Sequence, residues 1–182
     1  MQHKCITIRQ AGVEDNEHLS TVGRETFFDS FAADNHPADM AAYLEKSFSP
    51  DIQAAELAEP SSVFLIAEAE AMTVGYARLV EASAPHFVKA RKPIHLARLY
   101  ARKQWIGNGV GAALMTACMD EATRRQCDGI WLGVWGRNAR AIGFYRKWGF
   151  LQRGTQSFVL GNDRQTDLIL WRPLKSAAAI PP

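Results

Sequence analysis

The segment Gln104-Trp105-Ile106-Gly107-Asn108-Gly109-Val110-Gly111 constrains this chain more than any other. It follows an apolar run, Ile94 to Tyr100, that reads as a strand. It opens onto Ala112, Ala113, Leu114, Met115 and Ala117, which read as a helix. A strand, a glycine-rich turn and a helix in succession form an anion-binding corner. Glycines adopt positive φ and let the main chain approach a ligand. The helix N-terminus supplies free N–H groups and a partial positive charge. Arg102 and Lys103 add cationic field just upstream. The expected ligand is a phosphorylated cofactor.

Three phosphate-binding patterns compete for this segment. A Walker A loop needs Lys and Ser/Thr after its last glycine, but Gly109 is followed by Val110 and Gly111 by Ala112. The dinucleotide fingerprint is formally met by Gly107, Gly109 and Ala112. It also requires an acidic residue at the end of the next strand, where Trp135-Gly136 stands instead; Asp128 lies at the wrong end. The third pattern is Gln/Arg-x-x-Gly-x-Gly/Ala, matched by Gln104, Gly107 and Gly109. An ordinary glycine turn before a core helix could look similar, so the flanking residues decide. Ile130 to Trp135 is a β-favouring run. After it, Asn138, Ala141, Phe144, Tyr145, Gly149 and Phe150 fit N-x-x-A-x-x-F-Y-x-x-x-G-F.

Together these two motifs resemble the cofactor segments of the GNAT superfamily of N-acetyltransferases. The resemblance implies a single α/β domain with a central mixed, mostly antiparallel sheet of six or seven strands and helices on both faces. It implies acetyl-CoA as cofactor, with the Gln104–Gly111 loop, Trp105, Ile106, Asn108 and Val110 included, around the pyrophosphate. Leu99 and Tyr100 would pair with the pantetheine arm, Asn138 would hydrogen-bond to it, and Lys147 would lie on the cofactor side. A narrower resemblance, to bacterial spermidine/spermine acetyltransferases of the PaiA type, rests on Glu25–Phe31, Ala42–Phe48, Ile130–Trp135 and Gln165–Ile169. It implies a cytoplasmic enzyme acting on small polyamines. This chain departs from that subgroup's pattern at Gly136, where Glu is typical, and at Gln156, where His is usual. Its strand His95–Tyr100 also lacks the acidic side chains typical there.

Composition bounds the rest. The 182 residues suffice for one domain with a full core, expected over 1–175 with a tail from 176. Apolar residues at 47% against 22% charged exclude a disordered chain, and a net charge of +2 argues against nucleic acid as partner. Lys89, Arg91 and Lys92 read as a solvated loop. The three cysteines, Cys5, Cys118 and Cys127, have no metal-ligand spacing and read as reduced thiols of a cytoplasm. No run reaches membrane-spanning length, and Met1–Lys4 opens no signal-peptide pattern. No metal is expected, and a monomer or homodimer is.

Along the chain, a strand at Ile6–Ile8 precedes a helix carrying Leu19, Val22, Thr26 and Phe27. Helices near 38–46 and 50–57 follow, then a hairpin of Val63–Ala67 with Thr73–Val80. A polar loop, Ser83–Lys92, leads to the strand, loop and long helix already described. A last hairpin joins Phe150–Leu160 to Gln165–Trp171 through Gly161-Asn162-Asp163.

For chemistry, Tyr145 is the expected general acid, because a phenol is of similar basicity to the leaving thiolate. A backbone N–H near Tyr100 would stabilise the oxyanion, typically worth about 3 kcal/mol. His95 is a candidate base by its intrinsic pKa, with deprotonation through water as the alternative; simple alternation puts His95 and Ala97 on one face of their strand and Leu96 and Arg98 on the other. His36 and His86 lie in loops. Phe27, Phe28, Phe31, Tyr43 and Trp135 are the candidates for the acceptor site, with Glu25, Asp29, Asp34 and Glu45 as partners for a cationic substrate. The expected acceptor is a small primary amine or polyamine. A peptide N-terminus, or a binding module without catalysis, is the alternative; a nicotinamide enzyme is a more distant one.

Overall fold

The computed structural model describes residues 5–161 and 163–174, so Met1–Lys4, Asn162 and the tail expected from 176 lie outside the described residues. The chain runs β1 (Thr7–Gln10), a 3-10 turn (Val13–Asp15), α1 (Asn16–Phe31), a second 3-10 turn (Ala32–Asp34), α2 (Pro37–Phe48), α3 (Pro50–Ala58), β2 (Ser62–Ala69) and β3 (Met72–Val80). It continues with β4 (Pro93–Ala101), a short turn (Lys103–Trp105), α4 (Val110–Arg124), β5 (Gly129–Trp135), α5 (Ala139–Lys147), β6 (Leu151–Leu160) and β7 (Asp163–Pro173). Local chemistry explains several boundaries. Pro37 and Pro50 open α2 and α3, where a missing N–H costs nothing. His36 Nδ1 accepts from the Ala38 N–H at 3.3 Å, and Ser49 Oγ from the Ile52 N–H at 3.5 Å.

The seven strands form one sheet in the order β1-β2-β3-β4-β5-β7-β6, antiparallel except for β4 against β5. Helices α4 and α5 cover one face, over Ile94, Leu96, Ile130 and Leu132 with Leu114 and Met115 between. Helix α1 covers the other, where Leu19 and Val22 meet Phe64, Ile66 and Tyr76. A fully buried Leu, Ile or Phe contributes about 1.5–3 kcal/mol over exposure, so these two layers fix the helices on the sheet that carries the cleft.

Two irregularities in β4 create that cleft. Its parallel pairing with β5 covers only Pro93–His95 against Gly129–Trp131, yet β4 runs on to Ala101 and β5 to Trp135. The strands therefore separate at their C-terminal ends. Just downstream of that pairing, Arg78 pairs with Arg98 and Leu79 with Leu96, so Ala97 is the extra residue of a β-bulge. Because side chains alternate, one inserted residue reverses the faces that follow. Leu96 sits in the core beneath α4, whereas Arg98 points to α3, with its guanidinium 2.5 Å from Glu56. Alternation placed these two on one face; the bulge overturns that. Glu56 also binds Arg78 at 2.5 Å, and Arg98 lies over the Phe48 ring at 4.8 Å. This triad, with its side chains only 11–18% exposed, ties α3 to the bulge.

Candidate active site

A cavity of about 830 Å³ opens where β4 and β5 separate. One wall is the loop between β4 and α4. Gly107 has φ +84° and Gly109 φ +89°, conformations that only glycine adopts without strain. A Cβ on Gly107 would meet nothing within 4 Å, so the conformation and not the space demands glycine there. Trp105 and Val110 are buried in the core beneath the loop, which leaves the main chain facing the cavity. The loop's own hydrogen bonds use the N–H groups of Trp105, Ile106 and Asn108. The first helical bond of α4 runs from the Ala113 N–H to the Gly109 carbonyl at 2.9 Å. The N–H groups of Gly109, Val110, Gly111 and Ala112 thus have no helical acceptor, at the positive end of a 15-residue helix. Gln104 and Asn108 are exposed and do not line the cavity by side chain. Asn108 instead braces the loop, its Nδ2 donating to the Gln104 carbonyl at 3.2 Å and the Ile106 carbonyl at 3.4 Å.

The middle of the cavity is walled by Leu99 and Tyr100 of β4, Gly133 to Trp135 of β5, and Asn138, Tyr145 and Lys147 of the α5 segment. Asn138 caps α5, its Oδ1 accepting from the Ala141 N–H at 3.0 Å. Tyr145 is held edge-on by Phe144 and Phe150, with ring centroids 5.4 and 5.7 Å away. Its hydroxyl makes no hydrogen bond within the described residues, and burial, with a smaller contribution from Cys118, pushes its pKa up. Burial likewise holds Tyr100 well above the ordinary phenol value. Both phenols are protonated at neutral pH.

The far end is aromatic. Phe27 stacks on Tyr43 at 4.6 Å and touches Phe31 at 4.5 Å; Phe31 meets Trp135 edge-on at 5.8 Å, and Tyr43 meets Phe158 at 5.8 Å. Phe27 and Phe31 are one helical turn apart and so share a face. Phe28 lies about 100° round the helix, is 52% exposed and is not part of the lining.

His95 is also outside the cavity. Its ring stacks flat on Trp131, with centroids 3.8 Å apart and planes 8° apart. Burial, then the nearby Arg78 charge, pushes its pKa down to about 4. It is neutral but a poor proton acceptor. Of the acids expected to meet a cation, Glu25 pairs with Arg102 at 3.2 Å and Glu45 with Arg24 at 3.0 Å. Asp29 and Asp34 are exposed outside the lining.

The carboxylate that does line the cavity is Asp167 of β7, in register with Trp135. Sequence reasoning did not single it out. The available signal was an acid on the strand face otherwise occupied by Ile169 and Trp171. Those residues pack against Trp131.

Comparison with known proteins agrees with this architecture. The Acetyltransferase (GNAT) family matches residues 25–150. The chain is 33% identical over 169 residues to an uncharacterised N-acetyltransferase from Lactobacillus delbrueckii subsp. lactis, covering 93% of this chain and 98% of that one. It is 30% identical over 160 residues to another from Mycobacterium tuberculosis, covering 88% and 98%. Among solved structures it is similar to the PaiA N-acetyltransferase of Thermoplasma acidophilum in complex with coenzyme A, with TM-score 0.78 and 21% identity over 93% of this chain and 99% of that one. It is also similar to the ribosomal-protein-S18-alanine N-acetyltransferase of Escherichia coli, with TM-score 0.71 and 16% identity over 98% and 99%.

The chain belongs to the GNAT acetyltransferase family. It is an acetyl-CoA-dependent N-acetyltransferase. The residues present fit that cofactor: unpaired main-chain donors at a helix N-terminus suit a pyrophosphate, and the gap between β4 and β5 offers strand edges to an amide-bearing arm.

Proposed function

We propose that the protein acetylates a small primary amine by direct transfer, with both substrates bound together. The observation that carries this is a single cavity lined at once by the donor-rich loop, Tyr145 and the aromatic cluster. No cysteine lines it among the described residues, and Ser30, its serine, donates its hydroxyl to the Thr26 carbonyl at 2.7 Å. A covalent acyl-enzyme therefore has no evident nucleophile.

Bound acetyl-CoA supplies the thioester. The Gln104–Gly111 main chain and the first turn of α4 hold its pyrophosphate, with Lys147 adding charge. Leu99, Tyr100 and Asn138 orient the pantetheine arm. Tyr145, kept protonated by burial, is the proton donor to the leaving sulfur. With His95 stacked away, the acceptor's proton leaves through water. Polyamines are the first acceptors to test because of the PaiA-like segments. Peptide N-termini form the second class, as the E. coli neighbour's activity suggests.

The test is CoA release from acetyl-CoA across amines, polyamines, amino acids and short peptides, in wild type and Tyr145→Phe. General acid catalysis typically contributes about 10²- to 10⁴-fold, so the variant should lose that much in kcat while binding CoA normally. Turnover confined to peptides points to a peptide acetyltransferase. CoA binding without release on any acceptor points to a binding module and rejects the proposal.

A further inference from the structure

The charges that line the cavity are few. Arg98 is paired with Glu56, a carboxylate it shares with Arg78, and Arg140 and Lys147 come from the α5 segment. Asp167 is the one carboxylate among the described lining residues. It has no ion pair and no hydrogen bond within the described residues, and burial alone raises its pKa. Its Oδ2 lies 3.4 Å from the point where a Cβ on Gly133 would stand, so the bare backbone at 133 leaves this oxygen open beside the gap between β4 and β5. Gln165 lines the same end. Its Nε2 is held by Asn35 Oδ1 at 2.7 Å and Asp163 Oδ2 at 2.9 Å, which leaves its carbonyl oxygen unengaged.

A half-buried carboxylate without a partner is unfavourable unless a cation comes to it. We propose that Asp167 receives the ammonium group of the acceptor, which sheds one proton to water before its nitrogen attacks the thioester, and that the acceptor is a monoamine with an apolar or aromatic body. The ring cluster of Phe27, Phe31, Tyr43, Trp135 and Phe158 takes that body. A polyamine fits less well, because Asp167 can meet only one of its charges and ring faces alone, a weaker attraction than a carboxylate, would have to hold the others. Glu25 and Glu45 are already paired, and Gly136 adds no charge. Its amide N–H donates to the Thr166 carbonyl, and a Cβ there would stand 3.2 Å from that oxygen. Asp167 is thus a substrate-binding and specificity residue, and the proposal rests on the small-amine reading given above.

The experiment has two readouts on wild type, Asp167→Asn and Asp167→Glu. The first is CoA release with 2-phenylethylamine, tyramine and pentylamine against spermidine and spermine. The expected result is kcat/KM at least tenfold higher for the best monoamine than for either polyamine. Asp167→Asn should raise the monoamine KM at least tenfold, Asp167→Glu should restore part of it, and KM for acetyl-CoA should stay within twofold. The second readout is calorimetric titration of 2-phenylethylamine into protein saturated with CoA, where Asp167→Asn should bind at least tenfold more weakly. Preference for polyamines, or an amine KM unmoved in Asp167→Asn, overturns the inference and leaves the acetyltransferase reading standing. Asp167-dependent binding without any turnover does the reverse. A lower melting temperature with weakened CoA binding in Asp167→Asn would mark a structural role and also overturn it.

Discussion

The two ends of the cavity are built on opposite plans. The loop end comes from eight contiguous residues and works through main chain: Gly107 and Gly109 at positive φ, and N–H groups left open at the start of α4. The aromatic end comes from α1, α2, β5, β6 and β7 and works through side chains. On the proposed reading, peptide groups take the cofactor's phosphates, so the loop's side chains carry little of that task. On the same reading, side chains take the acceptor's shape and charge, so each ring and Asp167, the one acid among the described lining residues, count separately.

Changes at the Glu56 triad should give the largest effect, because it supports both ends through the bulged β4. Removing one member of a buried ion pair typically costs about 3–5 kcal/mol. Glu56→Ala should lower stability by roughly that much in urea titrations, with CoA and amine binding lost together. A change confined to one end would break the idea that β4 joins them.

At the loop end, Gly109→Ala imposes a left-handed conformation on a residue with a Cβ, at about 1–2 kcal/mol. The loop should relax to escape that strain, CoA binding must then restore it, and affinity should fall about tenfold, while Asn108→Ala should change it less than threefold. If Asn108→Ala proves the more damaging, side chains and not main chain dominate there. At the aromatic end, Phe31→Ala should raise the amine KM at least fivefold and leave CoA affinity unchanged. Phe28→Ala and His95→Gln should move neither by more than twofold.

The smallest effects separate two acids by the sign of their pH response. The Arg9 guanidinium, at 2.7 and 2.8 Å, holds the Asp15 carboxyl below its usual range. A depressed carboxylate stabilises above the unfolded pKa of about 4, and this is lost as pH falls through the folded value. Asp15→Asn should therefore melt below wild type at pH 7, with the gap closing on acidification below pH 4. Burial raises Asp167, so wild type loses stability as pH rises through that group's folded value. Asp167→Asn should melt no lower than wild type at pH 7, with any advantage vanishing below pH 4. A shared sign would mean that Asp167 is held by a structural partner.

Much of the framework was legible in the residues. The order of strands and helices followed from periodicity and from Pro37 and Pro50 at helix starts, because these signals act within a few residues. The spacing of Gly107 and Gly109 marked the turn into α4 for the same reason, since positive φ is a property of the residue itself. The side chains that meet at the far end were only partly legible. Phe27, Phe28 and Phe31 look alike in composition; the angle of α1 against the sheet decides that Phe27 and Phe31 face inward and Phe28 outward. His95 looked available by its chemistry, but stacking on Trp131 removes it.

What the sequence by itself determined was the set of elements, the glycine corner and the family to which they belong. These depend on backbone preferences and short spacings. Only the tertiary structure decided that Ala97 bulges, that β4 and β5 part after His95 and Trp131, and that Asp167 comes to stand beside Trp135 and Gly133. Those outcomes depend on which strands pair and in what register. Register is a contest among distant segments that no local pattern records.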